Sequence, residues 1–122
     1  MTEGITPFVA DVLTVTIAEE EFAASQIVAG TPLAGWLPLT EVGGTEVGVW
    51  QMTAGTIVDT EADEVFCVVA GRGMVEFLDP AADPIDLRPG ILVRLEAGWR
   101  TRWTVAETLR KIAVVPGEVD PK

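Results

Sequence analysis

The stretch Gly55–Gly71, GTIVDTEADEVFCVVAG, decides how the rest of the chain is read. Glycines bracket it, it opens on the strand-forming run TIV, and it ends on the apolar run VFCVVA. An uninterrupted apolar run of that length suits a strand covered on both faces. Between the two runs lie four carboxylates, Asp59, Glu61, Asp63 and Glu64. The chain has no histidine at all. No imidazole is therefore present to bind a metal or to activate a serine or cysteine.

Outward from this stretch, turn signals recur: Gly43-Gly44, Ala54-Gly55, Gly71-Arg72-Gly73, Asp79-Pro80, Pro89-Gly90, Ala97-Gly98 and Pro116-Gly117. Between them run EVGVWQMT, EVFCVVA, GMVEFLD, ILVRL, RTRWTV and LRKIAVV, each with strand composition. MVEFL alternates, with Val75 and Phe77 on one face and Glu76 on the other. Short strands at intervals of about 8–12 residues predict an all-β sandwich or small barrel. GRGM at 71–74 reads as a β-turn; no helix follows it, so it is no phosphate loop. DPAADP at 79–84 reads as an exposed loop. The Glu- and Ala-rich TIAEEEFAAS, 16–25, predicts a short helix that Gly30 and Pro32 terminate. Residues 1–40 then form an N-terminal arm with a short helix and an edge strand, and residues 41–122 the β-barrel.

With 122 residues, 48% of them hydrophobic, the chain predicts one folded domain with its own core. Its net charge of −11 repels nucleic-acid phosphates and anionic membranes, which excludes both as expected partners. Cys67 is the single cysteine, so no disulfide forms within the chain, and its apolar surroundings predict a buried, inert thiol. The N-terminal sequence lacks the basic and apolar regions of a signal peptide. No apolar run approaches the ~18 residues of a membrane span. A cytoplasmic location is the expectation.

From Glu46 onward the chain resembles the cupin superfamily, small double-stranded β-helix barrels of the jelly-roll type. Its nearest likeness is to the single-domain cupins grouped with ureidoglycine aminohydrolase and ethanolamine-utilisation proteins. EVGVWQMTAGT, DEVFCVVAGRGMVEF, RPGILVRLEAGWRTRWTV and ETLRKIAVV carry the resemblance, with IVAGTPLAGW as a lead-in strand. In the first cupin motif Gly55, Glu64 and Gly71 take the places of the opening glycine, the glutamate and the closing glycine. Its two histidine places fall on Val58 and Thr60, or on Ile57 and Asp59 with the longer gap. In the second motif Gly90 and Gly98 fit, Glu96 replaces the proline and Thr101 the histidine. Metallocupins hold their ion with imidazoles plus one carboxylate. Three of the four expected ligands are missing here, so no metal and no cofactor is expected.

The resemblance places Glu64 inside the barrel mouth, either as a general acid/base or as a residual ligand position bonded to Thr60 or Thr101. Strand parity groups Glu64 with Phe66, and Thr101 with Trp103. Phe66, Trp99, Thr101 and Trp103 are the candidate ligand-binding residues, forming a mouth that suits a small, partly apolar or cationic ligand. Filling of the core is the alternative role for the same aromatic residues. Trp50 is expected to pack, with Gln51 facing the other way, and Arg100 and Arg102 point away from the cavity. The acidic cluster at 59–64 reads either as a solvated loop or as oxygen ligands for Mg²⁺ or Ca²⁺. Three functions remain open: a metal-free barrel that binds a small molecule, an enzyme acting on a small nitrogenous or sugar-like metabolite, and a structural protein with a filled barrel. The resemblance and the exposed strand edges point to a homodimer.

Overall fold

The computed structural model describes residues 4–117. Its strands are β1 (Glu20–Glu21), β2 (Ile27–Ala29), β3 (Leu33–Val42), β4 (Thr45–Met52), β5 (Gly55–Thr60), β6 (Glu64–Asp79), β7 (Ala81–Leu87), β8 (Leu92–Leu95) and β9 (Arg100–Val115). Every pairing is antiparallel, and along one path the order is β1-β3-β4-β9-β5-β2. The chain folds as the expected all-β jelly-roll barrel.

Two long strands organise it. β9 lies against β6 along most of its length and, on its other edge, meets β5 through residues 100–105 and β4 through 109–115. β6 in turn pairs with β8 near its start and with β7 near its end. Along β9 the odd positions Thr101, Trp103, Val105, Leu109, Lys111 and Ala113 are all buried. That period of two is the strand geometry itself, with alternate side chains sent to opposite faces. Met52, Ile57, Phe66, Val75, Leu87 and Leu95 close the core from the facing strands.

Several local expectations give way to the sheet. TIAEEEFAAS forms no α-helix; it is extended, with Glu20–Glu21 paired to β3 and one 3-10 turn at Ala24–Gln26. A helix this short is marginal by itself. Burying Ile17 and packing Phe22 against the core decides the outcome. GRGM is not a turn between two strands but the bent middle of β6, where the register against β9 shifts at Val68/Ala70, Ala70/Arg72 and Arg72/Gly73. Gly71 sits there with φ +91°, and a Cβ on it would meet the backbone oxygen of Thr108. RTRWTV and LRKIAVV likewise belong to one strand, β9.

DPAADP is exposed as expected but is mostly strand: Pro80 alone turns the chain, and Ala81–Leu87 pairs with β6. Pro84 is tolerated because β7 pairs on one side only. Cys67 is half-buried rather than enclosed. β2 and β3, which precede residue 41, pair with β5 and β4 and so continue the same sheet. No helix among the described residues is long and apolar enough to cross a membrane.

Candidate ligand cavity at the barrel mouth

Glu61 follows the inward parity of Ile57 and Asp59 on β5, one step past the strand's end. Its backbone is fixed from the far side of the mouth: its N–H donates to Trp99 O at 2.7 Å, and Gly98 N–H donates to its carbonyl at 2.8 Å. Asp63 completes the junction, accepting from Ala97 N–H and the Arg94 guanidinium, each at 3.1 Å. Those donors hold the Asp63 carboxyl below the usual carboxylate range. So anchored, Glu61 turns its carboxylate inward, 7% exposed, where Oε2 accepts from Thr101 Oγ1 at 2.5 Å and from Trp103 Nε1 at 3.0 Å. A buried carboxylate needs such donors.

Lys111 enters from β9, opposite Trp50 of β4 and Val68 of β6 in the register. Its Nζ lies 2.7 Å from Glu64 Oε2, with the two side chains 5% and 13% exposed. The ammonium also stands over three rings, 4.1 Å from the Phe66 centroid and 4.6 Å from those of Trp50 and Trp103. Burial pushes the Lys111 ammonium below the usual lysine range, with Glu64 opposing that shift. Asp59 is half-buried beside this pair, its Oδ1 accepting from Thr60 N–H at 2.9 Å. Loss of solvent, and then the neighbouring charge of Glu61, raise its pKa to about 6.

These groups line one cavity of about 620 Å³. Asp59, Glu61, Glu64 and Lys111 supply its charges, while Trp36, Trp50 and Trp103 form aromatic wall. Of the residues singled out from sequence, Glu64 and Trp103 line it, and Phe66 and Thr101 stand just behind, touching Lys111 and Glu61 respectively. Trp99 does not reach it; its ring packs edge-on against Phe77 at 5.9 Å. Glu64 is bonded to Lys111, not to Thr60, which is exposed, nor to Thr101, which donates to Glu61. Trp50 lines the cavity while also packing on Trp103, and Gln51 faces outward to Arg110 and Glu19.

The acidic cluster is therefore no solvated loop, since Asp59, Glu61 and Glu64 face the cavity and Asp63 pairs with Arg94. Lys111 is the site residue that sequence reasoning missed, while Asp59 and Glu61 entered it only as members of the acidic cluster. The parity signal was present, because LRKIAVV puts Lys111 on the face of Leu109 and Ala113. A lysine there is uncommon enough to be passed over.

The metal of metallocupins does not fit these residues. β5 resolves the motif register, turning Ile57 and Asp59 inward and leaving Thr60 exposed. Thr101, Glu61 and Glu64 are already committed to partners within the barrel. Among the described residues no three His, Cys, Asp or Glu side chains form a group able to hold an ion.

A family model for the EutQ-like cupin domain matches residues 39–113. No curated protein matches the chain. Among solved structures, the EutQ protein of Clostridium difficile is similar at 16% identity and TM-score 0.60, over 80% of each chain. A protein of unknown function from Pseudomonas syringae pv. tomato aligns at 19% identity and TM-score 0.70, over 86% of this chain and 46% of that one. A putative ethanolamine utilization protein from Salmonella typhimurium aligns at 12% identity and TM-score 0.57, over 85% of this chain and 100% of that one. At these identities the likeness concerns the fold alone.

Proposed function

The chain belongs to the family of EutQ-like cupin domains, and we propose that within it this barrel binds a small molecule without a metal. One observation carries the reading. The barrel is not filled: a cavity of about 620 Å³ keeps a buried ion pair and two further carboxylates facing open space. Apolar pockets with a few convergent polar groups are the usual form of a ligand site. Three carboxylates against one ammonium disfavour an anionic ligand. Tryptophan walls favour a partly apolar one, neutral or cationic.

A thermal-shift screen of neutral and cationic metabolites, paired with elemental analysis of the purified protein, tests the reading. Stabilisation by a compound should vanish in Ala62→Trp, since Ala62 is exposed and lines the cavity. Equimolar transition metal in the protein, or shifts that survive Ala62→Trp, would overturn it.

The second reading is an enzyme acting on a small nitrogenous or sugar-like metabolite. Asp59 is the observation in its favour, because a carboxyl with a pKa of about 6 can exchange protons near neutrality.

A further inference from the structure

The chain holds two lysines, and the one among the described residues is not on the surface. Lysine is rarely buried, and six arginines show that this chain has another cation at its disposal. What distinguishes lysine is a primary amine that can give up its proton and act as a nucleophile. Here Lys111 lines the cavity, and its Nζ stands 2.7 Å from a carboxylate that can receive that proton.

We propose that Lys111 captures carbonyl compounds: a small aldehyde or ketone entering the cavity condenses with Nζ to an iminium, Glu64 relaying the protons. The proposal rests on the ligand-binding reading of the same cavity. The ammonium first passes a proton to Glu64, and the nitrogen lone pair then attacks the carbonyl carbon. The carbonyl π electrons move to oxygen, which takes up the proton held by Glu64. A second proton follows the same route from nitrogen to the hydroxyl, the C–O bond breaks and water leaves. The net change is one carbonyl compound and one lysine ammonium giving one protonated imine and one water, with no oxidant or reductant.

The surroundings suit the product as well as the reactant. An iminium keeps the single positive charge of the ammonium, so the ion pair with Glu64 and the faces of Trp50, Phe66 and Trp103 continue to hold it. Burial, which holds the ammonium below the usual lysine range, increases the share of free amine. Asp59, Glu61 and Glu64 set the substrate class, because an α-keto acid would bring a fourth carboxylate among them. Neutral or cationic carbonyl compounds are the ones admitted.

Benzaldehyde with cyanoborohydride tests this on the intact chain, since reduction fixes any iminium and peptide mapping locates it. Lys122 serves as the reference amine in the same molecule. In the native protein, Lys111 should be modified at least about tenfold faster than Lys122. That advantage should disappear in urea. Lys111→Arg should remove the modification while a native melting transition is kept; if that variant does not fold, the native-against-urea comparison decides alone. Modification of Lys111 no faster than Lys122 in the native protein overturns the proposal. Benzyl alcohol separates the two readings: saturable quenching of tryptophan fluorescence by it, without benzaldehyde capture, leaves the cavity a binding site and rejects the covalent step.

Discussion

Lys111 and Glu64 form an ion pair of 2.7 Å inside the barrel, joining β9 to β6 beneath three aromatic rings. Breaking one half of such a pair leaves a buried charge without a partner, which costs about 3–5 kcal/mol. Lys111→Met should therefore destabilise by about that amount in urea unfolding. Lys111→Met with Glu64→Gln should recover part of the loss, with a coupling above ~1 kcal/mol. Strict additivity of the two single substitutions would show that the pair is not formed.

Thr101 and Trp103 both donate to one oxygen of Glu61. Thr101→Val keeps the shape and removes one donor to a buried carboxylate, so a loss of about 1–3 kcal/mol is expected. Trp103→Ala removes a donor and a large buried ring together, and should cost about 3–5 kcal/mol. Chemical denaturation measures both, and a neutral Trp103→Ala would remove Trp103 from the core.

Asp59 sets a pH dependence whose sign is fixed. Its pKa is raised from 3.8 to about 6, so between those values the folded protein holds a proton that the unfolded chain has released. Stability from this group is therefore lost as pH rises from about 4 to about 6. Asp59→Asn abolishes that slope, and its melting temperature should gain on the wild type as pH rises through this window. Parallel melting curves for the two proteins from pH 4 to 7 would contradict the assignment.

Assembly is a separate proposal. Ile5, Phe8, Val9 and Leu13 of the N-terminal segment are 58–89% exposed, and Leu92 on the edge strand β8 is 68% exposed. Burial of these residues against a second copy predicts a dimer at micromolar concentration, measured by light scattering. A monomer at that concentration would reject it.

The sequence was most legible where a rule is local. Alternation along MVEFL and RTRWTV, and the glycines at 55 and 71, pointed to the strands and the barrel. A Cβ on Gly55 would strike the ring of Pro32, and one on Gly71 the backbone at Thr108. The helix in TIAEEEFAAS and the turn in GRGM failed for one reason: propensity and turn chemistry are weak against pairing with a strand far away in sequence.

By itself, then, the sequence determined the all-β class, the missing histidines and the shared face of Thr101 and Trp103, since each is a matter of composition or of a period of two. The barrel and the inward turn of that face followed from the family resemblance. Which acid meets which base was decided only by the tertiary structure. Glu61 and Thr101 are 40 positions apart, Glu64 and Lys111 are 47 apart, and Trp99, close to Thr101 in the chain, turns to Phe77. Parity assigns a side chain to a face, whereas the register between strands, including the shifts along β6, selects its neighbour across the barrel.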